Sequence, residues 1–351
     1  MTGDEIAKLA GVSRSTVSRV INNYSNVPEE TRRRVMEIIE QYDYRPNALA
    51  QSLAGKAQNT VGLFIIGIVE NDVDYRIYQN NYFAPYLEII IDEMNSRGYY
   101  TLVNIIYSKN DYDKIKQAYR QKRVDGCIVI GTEADTSVYR DILESGCPLS
   151  IIDLAPDDAK KLQRIQASLS VINTMDYQGA YDAVEYLIEL GHREIGLLAG
   201  RETTHSGRER FLAYQDAMRK HNLPIREDFL LKGEFSKNKT VRELTSLIER
   251  GTLPTAIFSC NDDMALAAIR LLISRGIRVP EDISVMGFDD IAIASQVIPA
   301  LTTMKIPIFE IARKAADAMI SALESGSKSH SIISYPTELM VRDSCARYQG
   351  S

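Results

Sequence analysis

Residues 6–23 read IAKLAGVSRSTVSRVINN, a stretch that predicts two short helices joined by a tight turn at Gly11. Each predicted helix has one apolar face at helical period, formed by Ile6, Leu9 and Ala10 in the first and by Val17, Val20 and Ile21 in the second. Thr2 and Glu5 precede these faces at the spacing of a capping box. A third helix is expected after Pro28, and Pro46 closes this three-helix unit.

The second predicted helix, which starts at Ser13, has an unusual polar face. Its members are Arg14, Ser15, Ser18, Arg19 and Asn22. Short donors between two arginines suit phosphate oxygens and base edges better than they suit protein. The pattern is therefore typical of a helix-turn-helix recognition helix that enters the major groove of DNA. An ordinary helical hairpin with a solvated polar face is the alternative that residues 6–23 alone leave open.

Length and composition limit the remaining possibilities. A chain of 351 residues accommodates about two ordinary domains and a small one. The net charge of −6 confines any contact with nucleic acid to a local surface. The four cysteines form no CxxC pair, which favours reduced, buried thiols. No signal pattern and no membrane-length apolar run is present, so we expect a cytoplasmic protein without a membrane partner.

The segment NALAQSLAG, residues 47–55, predicts a helix that is not stable in isolation. Asn47 can cap it and Gly55 can end it, but isolated helices shorter than about 12 residues are marginal in water. Leu49 and Leu53 lie four apart on one face with no evident core to enter. We expect this segment to fold only when another surface covers that face. A plain linker is the alternative.

From residue 60 onward, apolar runs alternate with amphipathic helices. The runs predict four strands at 61–69, 101–106, 126–130 and 149–153, and four more at 195–199, 229–232, 256–259 and 283–288. This alternation is typical of mostly parallel sheets covered by helices on both faces, here as two similar lobes. Ligands in such folds bind beyond the carboxyl ends of the strands, so we expect a site in the cleft between the lobes.

Four stretches carry a family resemblance: EIAKLAGVSRSTVSRVIN, YRPNALAQSLAGK, NDDMALAAIRLL and VPEDISVMGFDDI. In order and spacing they resemble the lac repressor family of bacterial transcription regulators, over essentially the whole chain. The resemblance implies an all-α helix-turn-helix headpiece at 1–46, a hinge helix and linker at 47–59, and an α/β core at 60–345 with two parallel-sheet lobes like a periplasmic binding protein. The N-terminal lobe would comprise about 60–165 and 306–335, and the C-terminal lobe about 166–305 and 336–345.

The resemblance also assigns candidate site residues. Contacts with double-stranded operator DNA would come from Thr2, Arg14, Ser15, Ser18, Arg19, Asn22, Tyr44, Asn47 and Leu53. Leu53 matches a family leucine that wedges into the minor groove, which agrees with its lack of a local core. An effector in the cleft would contact Tyr82, Phe83, Asp153, Ser206, Arg210, Phe235, Asn261 and Asp289.

The chemistry of the cleft set suits a small polar ligand such as a sugar. Carboxylates and an arginine can bond the hydroxyls of a polyol while an aromatic ring stacks on its apolar face. Helix caps or turns are the alternative roles for the aspartates, and a core position is the alternative for Phe235. No cofactor, metal ion or catalytic residue is expected.

The sequence departs from the family pattern in several places. Ala213 replaces a glycine after Arg210, Met175 replaces a common aspartate, and the loop 70–80 is unusually long, with a role left open. No leucine-rich helix follows residue 345, which favours a homodimer over a tetramer.

We expect a repressor controlled by its effector, with an activator or a corepressor-dependent regulator of the same family as the alternative. An α/β enzyme and a stand-alone sugar-binding protein are the rival functions outside the family. The enzyme is disfavoured because the sequence has no GxSxG, P-loop or GxGxxG motif and no paired metal-ligand histidines.

Overall fold

Residues 1–44, 57–67, 80–131 and 136–349 are described by the computed structural model of the chain. They divide into two compact units, Met1–Gln58 and Asn59–Ser351. Asn47, Leu53 and most of the loop 70–80 lie outside the described residues. The expectations for them therefore stay predictions.

Residues 1–44 of the first unit fold as α1 (Gly3–Ala10), α2 (Arg14–Ile21) and α3 (Glu29–Gln41). The predicted capping box is confirmed: the Glu5 N–H donates to Thr2 Oγ1 at 3.3 Å and the Thr2 N–H donates to Glu5 Oε2 at 2.7 Å. Gly11 ends α1 at a φ of 63°, a left-handed conformation that glycine adopts without strain. Ser13 caps α2 by accepting from the Thr16 N–H at 3.1 Å.

The core of this small unit is built from short side chains. Its buried members are Ile6, Ala7, Ala10, Val17, Val20, Val27 and Val35. The expectation that Leu9 belongs to this face was wrong, since Leu9 is 49% exposed. The side of α1 that faces the core runs through Ile6, Ala7 and Ala10, and small alanines allow neighbouring helices to approach closely. Leu9 lies on the flank of that contact.

The second unit contains two six-stranded sheets. In the first, the strand order is β11-β5-β4-β3-β1-β2 and every neighbouring pair is parallel. Its strands are β1 (Thr60–Ile66), β2 (Tyr100–Ile106), β3 (Gly126–Ile130), β4 (Leu149–Ile152), β5 (Leu169–Thr174) and β11 (His330–Tyr335). The helices among these strands are α4 (Phe83–Ser96), α5 (Asp113–Arg120), α6 (Ser137–Glu144) and α7 (Pro156–Leu162), with α12 (Ile308–Ser325) added from late in the chain.

The second sheet has the order β12-β10-β9-β8-β6-β7, with only β12 antiparallel to its neighbour among the described strands. Its strands are β6 (Ile195–Leu198), β7 (Leu230–Leu231), β8 (Ala256–Ser259), β9 (Ser284–Asp289), β10 (Thr302–Lys305) and β12 (Glu338–Met340). Its helices are α8 (Asp176–Glu189), α9 (His205–Lys220), α10 (Lys237–Glu249) and α11 (Asp262–Ser274). Single turns of 3₁₀ helix occur at Lys109–Asp111, Glu227–Phe229 and Ala292–Ser295. The predicted fold class, a helical headpiece with two parallel-sheet α/β lobes, is confirmed.

Two details of the sequence-based prediction were wrong. The first lobe does not end near 165, because β5 pairs in register with β4, Leu149 opposite Leu169. The prediction of four strands per lobe also fails, because β5, β10, β11 and β12 complete the sheets. These strands are short or mix serines with apolar residues, so only pairing with a neighbouring strand identifies them. In the part of the chain that is described, no helix is long and apolar enough to cross a membrane.

The headpiece core predicts a contrast between two alanine substitutions in α1. Ile6→Ala should destabilise the unit by about 2–5 kcal/mol, because Ile6 is fully buried and a cavity replaces its side chain. Leu9→Ala, at a half-exposed position, should cost less than about 0.5 kcal/mol. Amide hydrogen exchange of residues 3–41 in the full chain measures both. Equal losses of protection would contradict the described packing of α1.

Candidate functional site

The polar face of α2 is exposed on a helix whose opposite face is buried. Arg14, Ser15, Ser18 and Arg19 are exposed, and Asn22 is half-buried where α2 ends. The Asn22 side-chain amide donates to Ser18 Oγ at 3.3 Å. The structure thus places all five predicted base-reading residues on one short, capped helix. Whether each contacts DNA stays a prediction.

Three further residues near this face have structural partners. The Thr2 hydroxyl serves the capping box of α1. Tyr44 packs against the core of the unit, and its hydroxyl lies 3.0 Å from the position that a Cβ on Gly3 would take. Arg32 of α3 donates to Asn23 Oδ1 at 2.7 Å and to the Tyr24 carbonyl at 2.5 Å. Arg32 therefore fixes the turn that follows α2.

A cleft lies in the second unit, beyond the carboxyl ends of strands from both sheets. All eight predicted effector residues line it: Tyr82, Phe83, Asp153, Ser206, Arg210, Phe235, Asn261 and Asp289. Lining residues that were not predicted are Ile66, Gly67, Asn80, Gly131, Arg201 and Thr204. The structure therefore brings the whole predicted set together.

Arg210, on the buried side of α9, organises the C-terminal half of the cavity. Its Nε donates to Asp176 Oδ1 at 2.8 Å, its Nη1 lies 3.4 Å from Asp289 Oδ1, and the same Nη1 donates to the Cys260 carbonyl. The guanidinium stacks on the Phe288 ring at 3.8 Å. Burial lowers the pKa of Arg210, but the carboxylates of Asp176 and Asp289 outweigh that and raise it above its ordinary value. The group is a fixed cation.

Several carboxyl groups lie near Arg210. Burial raises the pKa of Asp289 well above its ordinary value; Arg210 opposes the shift, and the nearby carboxyls of Asp262, Asp263 and Asp176 add to it. Burial likewise raises the pKa of Asp176, although Arg210 opposes the shift. Of these carboxyl groups, Asp289 lines the cavity, where it can accept hydrogen bonds when ionised and donate one when protonated. Such a group suits a ligand with several hydroxyls, which both donate and accept.

Asp153 joins the two lobes across the cavity. It follows β4 of the first sheet, and its carboxylate accepts hydrogen bonds from the Ser206 N–H at 3.0 Å and the Ser206 hydroxyl at 2.8 Å. Ser206 lies in the first turn of α9, where the helix dipole favours a negative charge. A second crossing links Asn81, just before α4, to Asp263 of α11. The Asn81 side-chain amide donates to Asp263 Oδ1 at 2.8 Å and its backbone N–H donates to Oδ2 at 3.2 Å.

Aromatic rings form other parts of the cavity wall. The Phe235 ring lies so close to Gly200 that a Cβ there would be 2.4 Å from ring atom Cζ, which explains the glycine. The Tyr82 ring meets Phe83 edge-on at 5.3 Å, and the Tyr82 hydroxyl donates to the Tyr86 hydroxyl at 3.3 Å. Burial raises the pKa of Tyr82, so its hydroxyl stays protonated.

Backbone strain also concentrates at this cavity. Asp153, Phe235 and Asp289 have φ values of 70°, 61° and 120°, in the region that side-chain-bearing residues rarely adopt. Strain of this kind costs free energy and is typical of functional sites. Asn261 has a structural role in addition to its place in the cavity wall, since its Oδ1 caps α11 by accepting from the Met264 N–H at 3.0 Å.

Sequence reasoning missed Asp176. Met175, which stands where the family has an aspartate, is 43% exposed and does not line the cavity. Asp176 beside it is buried and holds Arg210. An aspartate in the first turn of a helix fits the dipole equally well without any partner, so no local pattern distinguishes this residue. Among the described residues, no cluster of histidine, cysteine, aspartate or glutamate side chains could hold a metal ion.

Comparison with known proteins gives consistent results for both units. Residues 2–47 match the family described as "Bacterial regulatory proteins, lacI family", and residues 184–345 match "Periplasmic binding protein-like domain". The chain is 33% identical over 348 residues to the probable HTH-type transcriptional repressor ExuR of Bacillus subtilis (strain 168), covering 99% of each protein.

Two solved structures share the complete architecture. One is the lac repressor dimer bound to operator and the anti-inducer ONPF, with 25% identity, a TM-score of 0.77 and 99% of each chain covered. The other is the complex of the transcriptional regulator CelR with cellobiose, with 27% identity, a TM-score of 0.71, and 98% of this chain and 99% of that chain covered.

Asp262, the buried first residue of α11, predicts a pH dependence of stability. Its carboxyl accepts from the Thr303 hydroxyl at 2.6 Å and the Ile291 N–H at 2.9 Å, and burial raises its pKa to about 7. In the unfolded chain an aspartate ionises near pH 4. Between about pH 4 and pH 7 the Asp262 carboxyl is therefore protonated in the folded state and ionised in the unfolded chain. The free energy of unfolding falls as the pH rises through this range.

Asp262→Asn should remove that dependence, because an amide can donate to Thr303 Oγ1 and accept from the Ile291 N–H without ionising. Denaturant unfolding of the wild type and the variant from pH 4 to pH 8 measures it. Between pH 4 and about pH 7 the wild type should lose on the order of a few kcal/mol of stability relative to the variant. Above about pH 7 the difference should stay constant. Parallel curves across the whole range would show that Asp262 ionises normally.

Proposed function

This chain belongs to the lacI family of bacterial regulatory proteins, and we propose that it is a transcriptional repressor whose affinity for operator DNA is controlled by a small polar effector. Family membership makes it a DNA-binding transcription regulator rather than an enzyme. The observation that carries the effector proposal is the arrangement of Arg210, Asp289 and Asp153. The first two lie in one lobe and the third reaches in from the other.

We propose that α2 reads the operator in the major groove. The face formed by Arg14, Ser15, Ser18, Arg19 and Asn22 would meet base edges and nearby phosphates, with Thr2, Tyr44 and Asn47 at its margins and Leu53 in the minor groove. What supports this is exposure: four of the five side chains are free of the protein core and belong to a helix that Ser13 caps.

A homodimer follows from the small footprint of one headpiece. A single recognition helix contacts too few bases to be selective, and the lac repressor structure to which this chain is similar is a dimer on operator. We propose a self-complementary surface on α4 and α12. The two helices are neighbours in this unit, joined by Arg97–Asp317 at 2.5 Å and Arg313–Glu93 at 3.8 Å, and Phe309 of α12 is exposed beside them.

The proposed effector is a sugar or sugar derivative. The carboxyl groups of half-buried Asp153 and buried Asp289 would bond hydroxyl groups, Arg210 would hold Asp289 in place, and the Phe235 ring would cover the apolar face of the ligand. The similar regulator CelR was solved as a complex with cellobiose, which is one such compound. We place the protein in the cytoplasm, where operator DNA lies.

Control of DNA binding requires only that the effector favour one lobe arrangement. Hydroxyls that bond Asp153 would compete with its contacts to Ser206, and a ligand that bonds Asp153 and Asp289 together would set the angle between the lobes. A difference in affinity for two arrangements, typically about 1–3 kcal/mol, suffices to change operator affinity. We propose that the effector weakens operator binding.

The first prediction concerns Arg14. Arg14→Ala should weaken binding to the specific operator by about 1–3 kcal/mol, because alanine cannot make the bidentate contact of an arginine with a base. The base preference at one operator position should be lost. Arg34→Ala is the matched control, since Arg34 is an exposed arginine on α3. Titration of operator and random DNA at fixed salt measures both variants. Equal losses on the two DNAs would mean that Arg14 contacts only phosphate.

The second prediction concerns Asp289. Asp289→Ala should abolish the response to ligand while leaving operator affinity without ligand within about threefold, a change below about 0.7 kcal/mol. Leu53→Ala should weaken operator binding and spare the ligand. Cellobiose and a panel of neutral monosaccharides serve as probes, and Asp157→Ala, at an exposed site on α7, is the control. A full ligand response in Asp289→Ala would overturn the assignment of the cleft.

A further inference from the structure

The headpiece contains an ion pair between α1 and α2 that the proposed function does not use. Arg14 Nη1 lies 3.4 Å from Asp4 Oδ2, and the side chains are 68% and 61% exposed, respectively. Arg14 is the first residue of α2, and Asp4 lies in the first turn of α1. Within residues 1–44, this is the only ion pair that joins these two helices.

The stability of the fold does not require this pair. Exposed ion pairs contribute little to folding, because water screens both charges. The α1–α2 contact is already held by buried Ile6, Ala10, Val17 and Val20. An exposed carboxylate next to the DNA-reading face also repels phosphates, which weakens binding to every DNA sequence alike. The position of Asp4 therefore carries a cost for DNA binding, against a helix-dipole contribution to stability that any acidic residue in the first turn would make.

The Asp4 carboxylate instead biases the orientation of the Arg14 guanidinium, because the two groups lie 3.4 Å apart. An arginine has five N–H donors in a planar fork, and the Asp4 carboxylate faces the Nη1 end of that fork. The edge formed by Nε and Nη2 stays available, and two parallel donors match the O6 and N7 acceptors of guanine in the major groove. A flexible arginine without such a neighbour can turn to any phosphate. Arg19, on the same helix, has no ion-pair partner within residues 1–44.

We propose that Asp4 is a specificity-determining positioning residue that directs Arg14 to a guanine of the operator and away from the phosphate backbone. The inference rests on the proposed function, because it presupposes that α2 reads DNA. It adds that one operator position is guanine and that the carboxylate of Asp4 sets how strictly that base is required. The Asp4 side chain lowers the affinity for all DNA and raises the discrimination between sequences.

The test measures base preference in the full-length chain. Selection from a randomised operator half-site, followed by titration with the selected site and its single-base variants at fixed salt, is done for the wild type, Asp4→Ala, Asp4→Glu, Arg14→Ala and the double variant. Glu40→Ala is the matched control, because Glu40 is an exposed acidic residue on α3 and its loss changes the charge of the headpiece equally.

Asp4→Ala should reduce the preference for guanine at one position by about fivefold or more, the size expected for a disordered bidentate contact. Its binding to random DNA should rise more than that of Glu40→Ala, because Arg14 is then free to contact phosphate, and Glu40→Ala should keep the full preference. Asp4→Glu should restore part of the preference. In the Arg14→Ala background, loss of Asp4 should have no further effect at that position.

Two results would overturn the proposal. One is an unchanged guanine preference in Asp4→Ala while Arg14→Ala loses it. The other is a change of preference by Asp4→Ala in the Arg14→Ala background, which would mean that Asp4 contacts a base itself. If the wild type shows no preference among sequences at all, the proposed function fails instead. Thermal unfolding of each variant separates loss of folding from loss of discrimination.

Discussion

The buried guanidinium of Arg210 is the interaction on which the cleft depends. It is enclosed by Asp176, Asp289, the Cys260 carbonyl and the Phe288 ring, so that residues of α8, α9 and β9 and of the segment after β8 all converge on one cation. Removing one partner of such a buried network leaves an uncompensated charge, which is far more costly than the net value of the pair. Arg210 thereby fixes the strand ends that form the C-terminal half of the site. Asp153 lines the other half of the cavity and follows β4 of the first sheet.

The parts of the fold that could be predicted from sequence are those set by local physics. The capping box at Thr2 and Glu5, the turn at Gly11 and the long apolar runs of β1, β3 and β9 follow from residues close together in the chain. β5, β11 and β12 could not be found in that way, because their short or mixed sequences become strands only by pairing with β4, β5 and β10. The boundary of the first lobe was misplaced for the same reason.

The two sites also differ in how far the sequence could predict them. Periodicity alone identified the exposed face of α2, whereas the eight cleft residues came from family resemblance, since nothing in the local sequence relates Asp153 to Ser206 or Arg210 to Asp289. Asp176 and Asp4 were missed because an acidic residue in the first turn of a helix is expected for the helix dipole alone. Their partners, Arg210 and Arg14, are brought to them only by the crossing of one helix with another.

The two sites present opposite hydrogen-bonding surfaces. The headpiece exposes donors, from Arg14 and Arg19 together with the serines of α2, and DNA offers phosphate oxygens and base acceptors in return. The cleft presents the carboxyl oxygens of Asp153 and Asp289, which suit a ligand rich in hydroxyl groups. Neither ligand can replace the other at its own site. An effect of one ligand on the other must therefore arise from the free energies of two arrangements of the chain and cannot come from competition. The contacts of Asp153 with Ser206 and of Asn81 with Asp263 are places where a bound ligand can change that difference, because each of them joins one lobe directly to the other.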